Sequence, residues 1–276
     1  MLLLSAANPI GSPFVELQSV DSTNKYAMSL AHEANLPGRQ GLAQHGMTIF
    51  AHEQTDGKGQ RGKKWSSEKG SNIAVSIVIN PNSLVLSEQF KLSVCVAISI
   101  HEFFSRFAGD ETKIKWPNDL YWRDRKAGGV LIENVVGNRE LGPDSYRVRS
   151  QELGTQDWKW SVVGIGININ QTSFPSNLPN PVSLKQITGK EFDPIKLAKE
   201  LCLIFDKNFQ LLITGNFKQL FVLYQAHLYK KDEKVKLKKG NQVFKTIIKA
   251  VSETGQLITH HSIEERFEFG EVEWIL

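Results

Sequence analysis

Apolar and polar positions alternate with two different periods as far as residue 229. Residues 72–79 form a run rich in β-branched side chains that ends at a proline, which predicts a buried strand. In contrast, residues 87–107 and 193–212 carry apolar side chains at helical spacing. The same two patterns predict further strands at 14–18, 48–52, 113–115, 126–133 and 160–169, and further helices at 25–34 and 217–227. Strands and helices are therefore interspersed through this part of the chain.

The pattern changes at Lys230. Five short alternating segments follow within residues 234–275, separated by turn signals at 239–241 and 253–255. Short strands at this density predict a small β-barrel, whose alternating lysines would form a solvated outer face. The sequence thus predicts two domains, residues 1–229 and residues 230–276.

Composition and charge are those of an ordinary soluble protein. The 33 Lys+Arg only slightly exceed the 29 Asp+Glu, so bulk charge does not argue for nucleic-acid binding. Cys95 and Cys202 lie in apolar segments, which predicts free thiols in a reducing compartment. The first seven residues lack the basic start of a signal peptide, and no segment reaches the roughly 18 apolar residues of a membrane span. We therefore expect a cytoplasmic protein without a membrane partner.

Residues 56–65, Asp-Gly-Lys-Gly-Gln-Arg-Gly-Lys-Lys-Trp, form a glycine-basic loop. Glycine costs backbone entropy and the cations repel one another, so the segment cannot hold a regular element unaided. A mobile loop rich in N–H groups and positive charge is suited to closing over a phosphate or carboxylate. A solvated surface hairpin is an equal alternative on this segment alone. The spacing of a Walker A loop is absent.

Three other segments could contact a ligand. Residues 21–24 place side-chain oxygens before a predicted helix, which could grip a polar ligand, although their spacing alone favours a plain N-cap. Residues 126–129 and 164–168 combine a strand with small residues that allow close approach to the backbone. Residues 137–159 are polar and without period, which predicts a surface hairpin or a disordered excursion.

Four segments, in this order, resemble the signature motifs of biotin–protein ligases. They are Gly57-Lys58-Gly59-Gln60-Arg61-Gly62 with Trp65, Lys115-Trp116-Pro117-Asn118-Asp119, Lys126-Ala127-Gly128-Gly129 and Gly164-Ile165-Gly166-Ile167-Asn168. Each motif alone is weak, whereas the combination is specific, and the resemblance extends over nearly the whole chain. It implies an α+β fold: a mixed sheet with helices like that of class II aminoacyl-tRNA synthetases, followed by a small C-terminal SH3-like β-barrel.

The resemblance also implies a two-step reaction. Biotin and MgATP give biotinyl-5′-AMP and pyrophosphate, and a lysine of a biotin carboxyl-carrier domain then takes the biotinyl group as an amide. The first step brings two anions together, so positive charge and N–H donors must offset their repulsion. By resemblance, Lys126 contacts both the biotin carboxylate and the α-phosphate, while the glycine-basic loop orders over the adenylate and excludes water.

The matching positions assign site residues by resemblance. Catalytic roles fall to Lys126, Lys58, Arg61 and Asp119, the last orienting the acceptor lysine. The biotin site comprises Ser22, Thr23, Asn24, Gln54, Lys58, Gly59, Gln60, Lys126, Gly128, Gly129, Gly164 and Gly166. The ATP site comprises Gly57, Arg61, Lys63, Trp65, Lys115, Asn118, Lys126 and Asn168. Hydroxyl and amide side chains suit the ureido ring of biotin, which replaces the plain N-cap interpretation of residues 21–24. No metal ligand is assigned.

The chain also departs from the family pattern. Many members carry arginine in place of Lys58, and lysine lacks the planar fork of arginine, so we expect the adenylate to be held less tightly. The excursion at 137–159 is longer than this hairpin usually is. The segment before Phe14 is too short for a helix-turn-helix domain, so we expect no DNA binding. Family members often dimerise through the sheet, which predicts a possible homodimer.

Three alternatives stay open at this point. Lipoate–protein ligase shares the fold and also reacts through an acyl-adenylate, but its Arg-Arg-x-x-Gly-Gly-Gly segment is missing here. A nucleic-acid-binding module could use the lysines of residues 230–239, although only Tyr229 and Phe244 offer stacking aromatics nearby. An inactive scaffold of ligase ancestry is the third, and the presence of Lys126 argues against it.

Overall fold

A computed structural model of the protein describes residues 8–34, 36, 38–39, 41–81, 84–137, 157–176 and 178–275. The strands are β1 (Phe14–Leu17), β2 (Thr48–Ala51), β3 (Ile73–Ile79), β4 (Thr112–Lys115), β5 (Asp119–Trp122), β6 (Arg125–Gly137), β7 (Asp157–Ile167), β8 (Lys234–Lys239), β9 (Gln242–Val251), β10 (Leu257–His260), β11 (Glu264–Phe267) and β12 (Glu273–Ile275). The α-helices are α1 (Thr23–Glu33), α2 (Gln89–Ala108), α3 (Leu184–Thr188), α4 (Pro194–Ile213) and α5 (Phe217–Ala226).

The first seven strands form one mixed sheet in the order β1-β2-β3-β7-β6-β5-β4. β1 and β2 are parallel, whereas the remaining neighbours are antiparallel. This arrangement confirms the mixed sheet with helices that the sequence motifs imply.

The two faces of this sheet are covered unequally. Helices α2, α4 and α5 pack with one face in an extensive apolar core that includes Phe103, Phe205 and Phe209. Among the described helices, α1 packs over the other face, where Ala27 and Ala31 join a smaller apolar cluster. A helix of eleven residues is only about 16 Å long. Its N-terminal end lies against the sheet, since a Cβ at Gly164 of β7 would lie 2.2 Å from Asn24 Oδ1.

The last five strands form a second, antiparallel sheet in the order β11-β10-β9-β8-β12. The five strands predicted after Lys230 are thus present. Their SH3-like character and the boundary at residue 229 stay predictions. Leu237, Ile248 and Leu257 from this sheet belong to the same buried cluster as the helical core of the first. The two predicted domains consequently share one continuous apolar core.

Several elements differ from the sequence-based expectation. Strand β7 begins at Asp157, three residues before the predicted start at Trp160. Residues 138–156 of the predicted excursion lie outside the described residues. Helix α3 was not predicted because it spans only five residues, and its Ser183–Gln186 capping box stabilises it locally. Across the described ranges, no helix combines the length and apolar character needed to cross a membrane.

Candidate active site

The start of α1 places a buried polar network against the face of the sheet that this helix covers. Ser22 is the N-cap, and its hydroxyl accepts a hydrogen bond from the Lys25 amide. The backbone N–H and the hydroxyl of Thr23 both donate to Gln54 Oε1, at 2.8 and 3.0 Å. Asn24 is 4 % exposed, and its Nδ2 donates to Glu133 Oε2 at 2.9 Å. Residues 22–24 therefore form a helix cap and a cluster of polar side chains, and their predicted contact with biotin stays a prediction.

Two members of this network were missed by the sequence analysis. Ser76 Oγ lies 2.8 Å from Thr23 Oγ1 and 2.5 Å from Asn24 Oδ1. Glu133, on β6, joins Asn24 to Lys58, whose Nζ is 3.5 Å from the carboxylate. A lone hydroxyl within the apolar strand β3 and a carboxylate following an apolar run were the available signals.

Glycines on β7 make room for side chains from other elements. A Cβ at Gly164 would lie 2.2 Å from Asn24 Oδ1, and one at Gly166 would lie 2.5 Å from the Trp65 ring. The backbone of Gly166 is itself approached closely, since a Cβ at Gly128 would lie 2.7 Å from its carbonyl oxygen. The sheet surface at these glycines is therefore in contact with Asn24 and Trp65. Their predicted contact with biotin stays a prediction.

The glycine-basic loop has local order of its own. Gly59 N–H donates to Lys63 O at 2.7 Å, and Trp65 N–H donates to Gly57 O at 2.8 Å. A short 3₁₀ turn, Gln60–Gly62, holds Arg61 in the left-handed region with φ 55°. The loop is thus a hairpin-like strap, and it also forms one wall of a cavity of 390 Å³. Further lining residues are Lys25, Asp56, Leu131 and Glu133.

An ion-pair cluster ties this strap to α1. Lys25 Nζ lies 2.7 Å from Asp56 and 3.3 Å from Asp21, while Lys64 Nζ lies 3.1 Å from Asp56. The hydrogen bonds from Lys25 and Lys64 lower the pKa of Asp56 to about 2. All these groups are well exposed, so the contribution of each pair to stability is small.

Lys126 and Asp119 face each other on neighbouring strands β6 and β5. Lys126 Nζ donates to Asp119 Oδ1 at 2.6 Å, and both side chains are about three-quarters buried. A Cβ at Gly129 would lie 3.4 Å from Lys126 Nζ and 3.2 Å from Asp119 Oδ1. The glycine therefore leaves the space that this ion pair occupies. The structure brings together two residues to which the motifs assigned catalytic roles.

Lys115, another lysine assigned to the site, is more deeply buried than Lys126. Its side chain is 7 % exposed, and Nζ donates to the phenol of Tyr121 at 3.1 Å. Burial is the main cause that lowers the pKa of Lys115 to about 8; Asp119 opposes the shift, whereas Lys126 and Lys63 add to it. Lys126, Lys63 and Asp119 thus all act on the Lys115 ammonium, and three lysines against one aspartate give a net positive charge suited to anionic groups.

Four further residues were assigned to the ATP site, and two of them make hydrogen bonds to the backbone. Asn118 Nδ2 donates to Val130 O, and Asn168 Nδ2 donates to Val182 O at 3.1 Å. Arg61 and Lys63 are exposed. The ATP contacts assigned to these four residues stay predictions. Among the described residues, no group of three or more His, Cys, Asp or Glu side chains is placed to hold a metal ion.

Comparison with known proteins gives consistent relatives. Residues 18–142 match the biotin/lipoate A/B protein ligase family. The bifunctional ligase/repressor BirA of Bacillus subtilis is 28% identical over 221 residues, which cover 79% of this chain and 60% of that protein. The biotin–[acetyl-CoA-carboxylase] ligase of Paracoccus denitrificans is 27% identical over 88% of this chain and 92% of its own length. The chain therefore spans less than two thirds of the bifunctional relative.

The fold also matches solved structures. A biotin protein ligase from Aquifex aeolicus, solved in complex with biotin and ATP, superposes with a TM-score of 0.72 at 24% identity. The match covers 94% of this chain and 97% of that protein. Residues 18–142 are thus similar to the biotin/lipoate A/B protein ligase family, and the likeness to the Aquifex structure shows that the chain shares its fold.

Proposed function

We propose that this protein is an ATP-dependent biotin–protein ligase. The supporting observation is that one sheet carries two features: a pair of lysines, Lys115 on β4 and Lys126 on β6, with the exposed loop residue Lys63 also acting on Lys115, and a buried polar network of hydroxyl and amide groups. The first suits the carboxylate and the phosphates, and the second suits the ureido ring of biotin. Relatives named as biotin ligases and a structure solved with biotin and ATP support the same assignment.

The first step would join the biotin carboxylate to the α-phosphate of MgATP and release pyrophosphate. The ammonium of Lys126, held by Asp119 at 2.6 Å, would stabilise negative charge on both reacting groups. A side chain fixed by such a contact needs little reorganisation during the reaction. No protein nucleophile is required. The glycine-basic loop, as one wall of the cavity, would exclude water from the mixed anhydride.

The second step would transfer the biotinyl group to a lysine of a biotin carboxyl-carrier domain. The lysine amine attacks the acyl carbon, the acyl–oxygen bond to AMP breaks, and an amide forms. The amine must lose a proton, and the Asp119 carboxylate lies beside the Lys126 ammonium, where it can orient the incoming lysine. The carrier and the cytoplasmic location both belong to this proposal.

The test is mass spectrometry of a biotin carboxyl-carrier domain after incubation with the protein, MgATP and either biotin or lipoate. We expect a mass gain with biotin alone. The control is the same carrier with its acceptor lysine changed to arginine, which should gain no mass. Lipoate carries no ureido ring, so the polar network around Asn24 favours biotin.

Two outcomes would contradict the proposal. A gain with lipoate alone would assign the protein to the lipoate branch of the family. No gain with either acid, together with no pyrophosphate release, would support an inactive scaffold, and salt-dependent RNA or DNA binding would then support a nucleic-acid-binding module.

A further inference from the structure

The side chain of Lys115 is enclosed by aromatic rings from both parts of the chain. Its Nζ lies 4.6 Å from the ring centroid of Tyr121 and 5.2 Å from that of Trp274. Tyr229 packs between these rings, with centroid distances of 5.0 Å to Tyr121 and 5.7 Å to Trp274. We call Tyr121, Tyr229 and Trp274 the aromatic cage.

The members of the cage come from three different elements. Tyr121 belongs to β5, Tyr229 follows α5, and Trp274 belongs to β12, the last strand of the second sheet. Tyr229 is anchored in turn, because its hydroxyl donates to Asp124 Oδ1 at 2.7 Å. The position of the Trp274 ring therefore depends on how the second sheet is docked.

The ammonium in this cage is electrostatically incomplete. The Tyr121 hydroxyl is a neutral acceptor that takes one of the three N–H bonds of Lys115. A buried cation usually has an anionic partner, and the faces of two aromatic rings replace only part of the lost hydration. Asp119 also acts on Lys115, but it is already paired with Lys126, so with Lys63 the group keeps a net positive charge that favours an anion at this place. Under the proposed function, that anion is a phosphate group of ATP.

We propose that Trp274 is a positioning residue for nucleotide binding, which acts by holding the Lys115 ammonium in place through its ring face. This inference rests on the proposed function. Removal of the ring would let the flexible lysine side chain adopt other positions. ATP would then bind more weakly, because its binding free energy would have to offset the entropy lost when the side chain is ordered. The biotin contacts assigned to the start of α1 would be unaffected.

The experiment compares Trp274→Leu and Trp274→Phe in the full chain. Calorimetry measures the Kd of MgATP without turnover, and pyrophosphate release gives separate KM values for ATP and biotin. We expect Trp274→Leu to weaken ATP binding roughly three- to thirtyfold, with the KM for biotin unchanged. Trp274→Phe, which keeps an aromatic face, should recover most of the loss.

Two further variants separate positioning from a simple loss of docking. Phe269→Leu removes another ring contact between the two parts of the chain, since Phe269 packs against Trp116 with centroids 6.3 Å apart. We expect this control to bind ATP as the unchanged protein does. Lys115→Met should weaken ATP binding, and adding Trp274→Leu to it should produce no further loss.

The inference would be overturned if Trp274→Leu weakened ATP binding equally in the Lys115→Met background. It would also be overturned if Phe269→Leu or Trp274→Phe produced the same loss as Trp274→Leu. If Trp274→Leu failed to fold, Trp274→Met would replace it, and an unchanged Kd in Trp274→Met, or a loss additive with that of Lys115→Met, would reject the inference. Failure of the proposed function would be distinct, because the unchanged protein would then release no pyrophosphate from biotin and MgATP.

Discussion

In the proposed mechanism Lys126 stabilises the negative charge of both reacting groups, and Asp119 holds its ammonium at 2.6 Å. We predict that Lys126→Met lowers the rate of biotinyl-AMP formation by about 10²- to 10³-fold, as expected when a preorganised charge is removed from a transition state. Because both side chains are about three-quarters buried, the loss leaves the Asp119 carboxylate without its partner and should cost the fold about 1–3 kcal/mol. Single-turnover pyrophosphate release measures the rate, and urea unfolding measures the stability.

Lys207→Met is the matched control for this variant. Lys207 is an exposed lysine on α4 whose Nζ lies 3.3 Å from Glu102, so the same chemical change is made outside the site. It should adenylate at the rate of the unchanged protein. A near-normal rate in Lys126→Met would refute the role proposed for Lys126.

His101 gives a second prediction at the residue scale. Its ring is buried against the His227 ring, with centroids 3.9 Å apart, and Nε2 bonds to Thr112 O at 3.0 Å. Burial lowers the pKa of His101 to about 4 from 6.5; the nearby His227 and Lys113 add to the shift, and Glu102 opposes it. Between these values the unfolded chain binds a proton that the folded chain does not. Stability is therefore lost as the pH falls from about 6.5 toward 4.

We expect the free energy of unfolding to drop by about 2 kcal/mol more between pH 7.5 and pH 5 in the unchanged protein than in His101→Gln. Glutamine does not titrate, and its amide can still donate to Thr112 O. Urea unfolding at the two pH values measures the difference. The exposed His260→Gln should keep the full pH dependence of the unchanged protein, and equal pH dependence in His101→Gln would contradict the prediction.

At the scale of elements, β7 separates two side chains with different predicted ligands. Gly164 lies under Asn24 and Gly166 lies under Trp65. Neither glycine has a positive φ, so alanine fits the backbone, and only the contact above it changes. We predict that Gly164→Ala raises the KM for biotin by roughly tenfold. Gly166 was also assigned to the biotin site, but it lies under Trp65 of the ATP site, so we predict that Gly166→Ala raises the KM for ATP, also by roughly tenfold.

Each of these variants is the control for the other, because each adds one methyl group to a glycine of β7. Pyrophosphate release at varied biotin and varied ATP measures both constants. If both variants raised the same KM, or neither changed any, Asn24 and Trp65 would not serve the separate ligands proposed for them.

The elements also show which features the sequence could predict. The start of α1 was predictable because an N-cap uses residues adjacent in sequence, such as Ser22. The strap at 56–65 was identified from its glycines and cations. Its position over Gly166 depends on contacts about 100 residues away along the chain, which local patterns do not encode. Ser76 and Glu133 were missed for the same reason: each is polar within an apolar strand and becomes informative only beside Asn24.

At the scale of the whole molecule, the sequence change at Lys230 predicts two domains, yet the structure joins them closely. Trp116 Nε1, within the motif 115–119, donates to Gly255 O at 2.9 Å. The buried core runs from α2 and α4 into the second sheet without a break. The sequence indicates neither the Trp116–Gly255 hydrogen bond nor the shared core. Trp116 belongs to a motif that was assigned to ATP binding, not to contact with the second sheet. We therefore infer that the two sheets unfold together.

Gln225, on α5, allows this inference to be tested. Its Nε2 donates to Val251 O, and its Oε1 accepts from Val251 N–H at 3.2 Å, so one side chain satisfies both backbone groups of a β9 residue. We predict that Gln225→Leu costs about 1–3 kcal/mol, because it leaves both groups unpaired, and lowers the Tm by roughly 2–10 °C. Scanning calorimetry should give one transition for the unchanged protein. The exposed Gln210→Leu should change stability by less than about 0.5 kcal/mol. Two separate transitions in the unchanged protein would show instead that the second sheet is an independent unit, and nucleotide binding would then not depend on its docking.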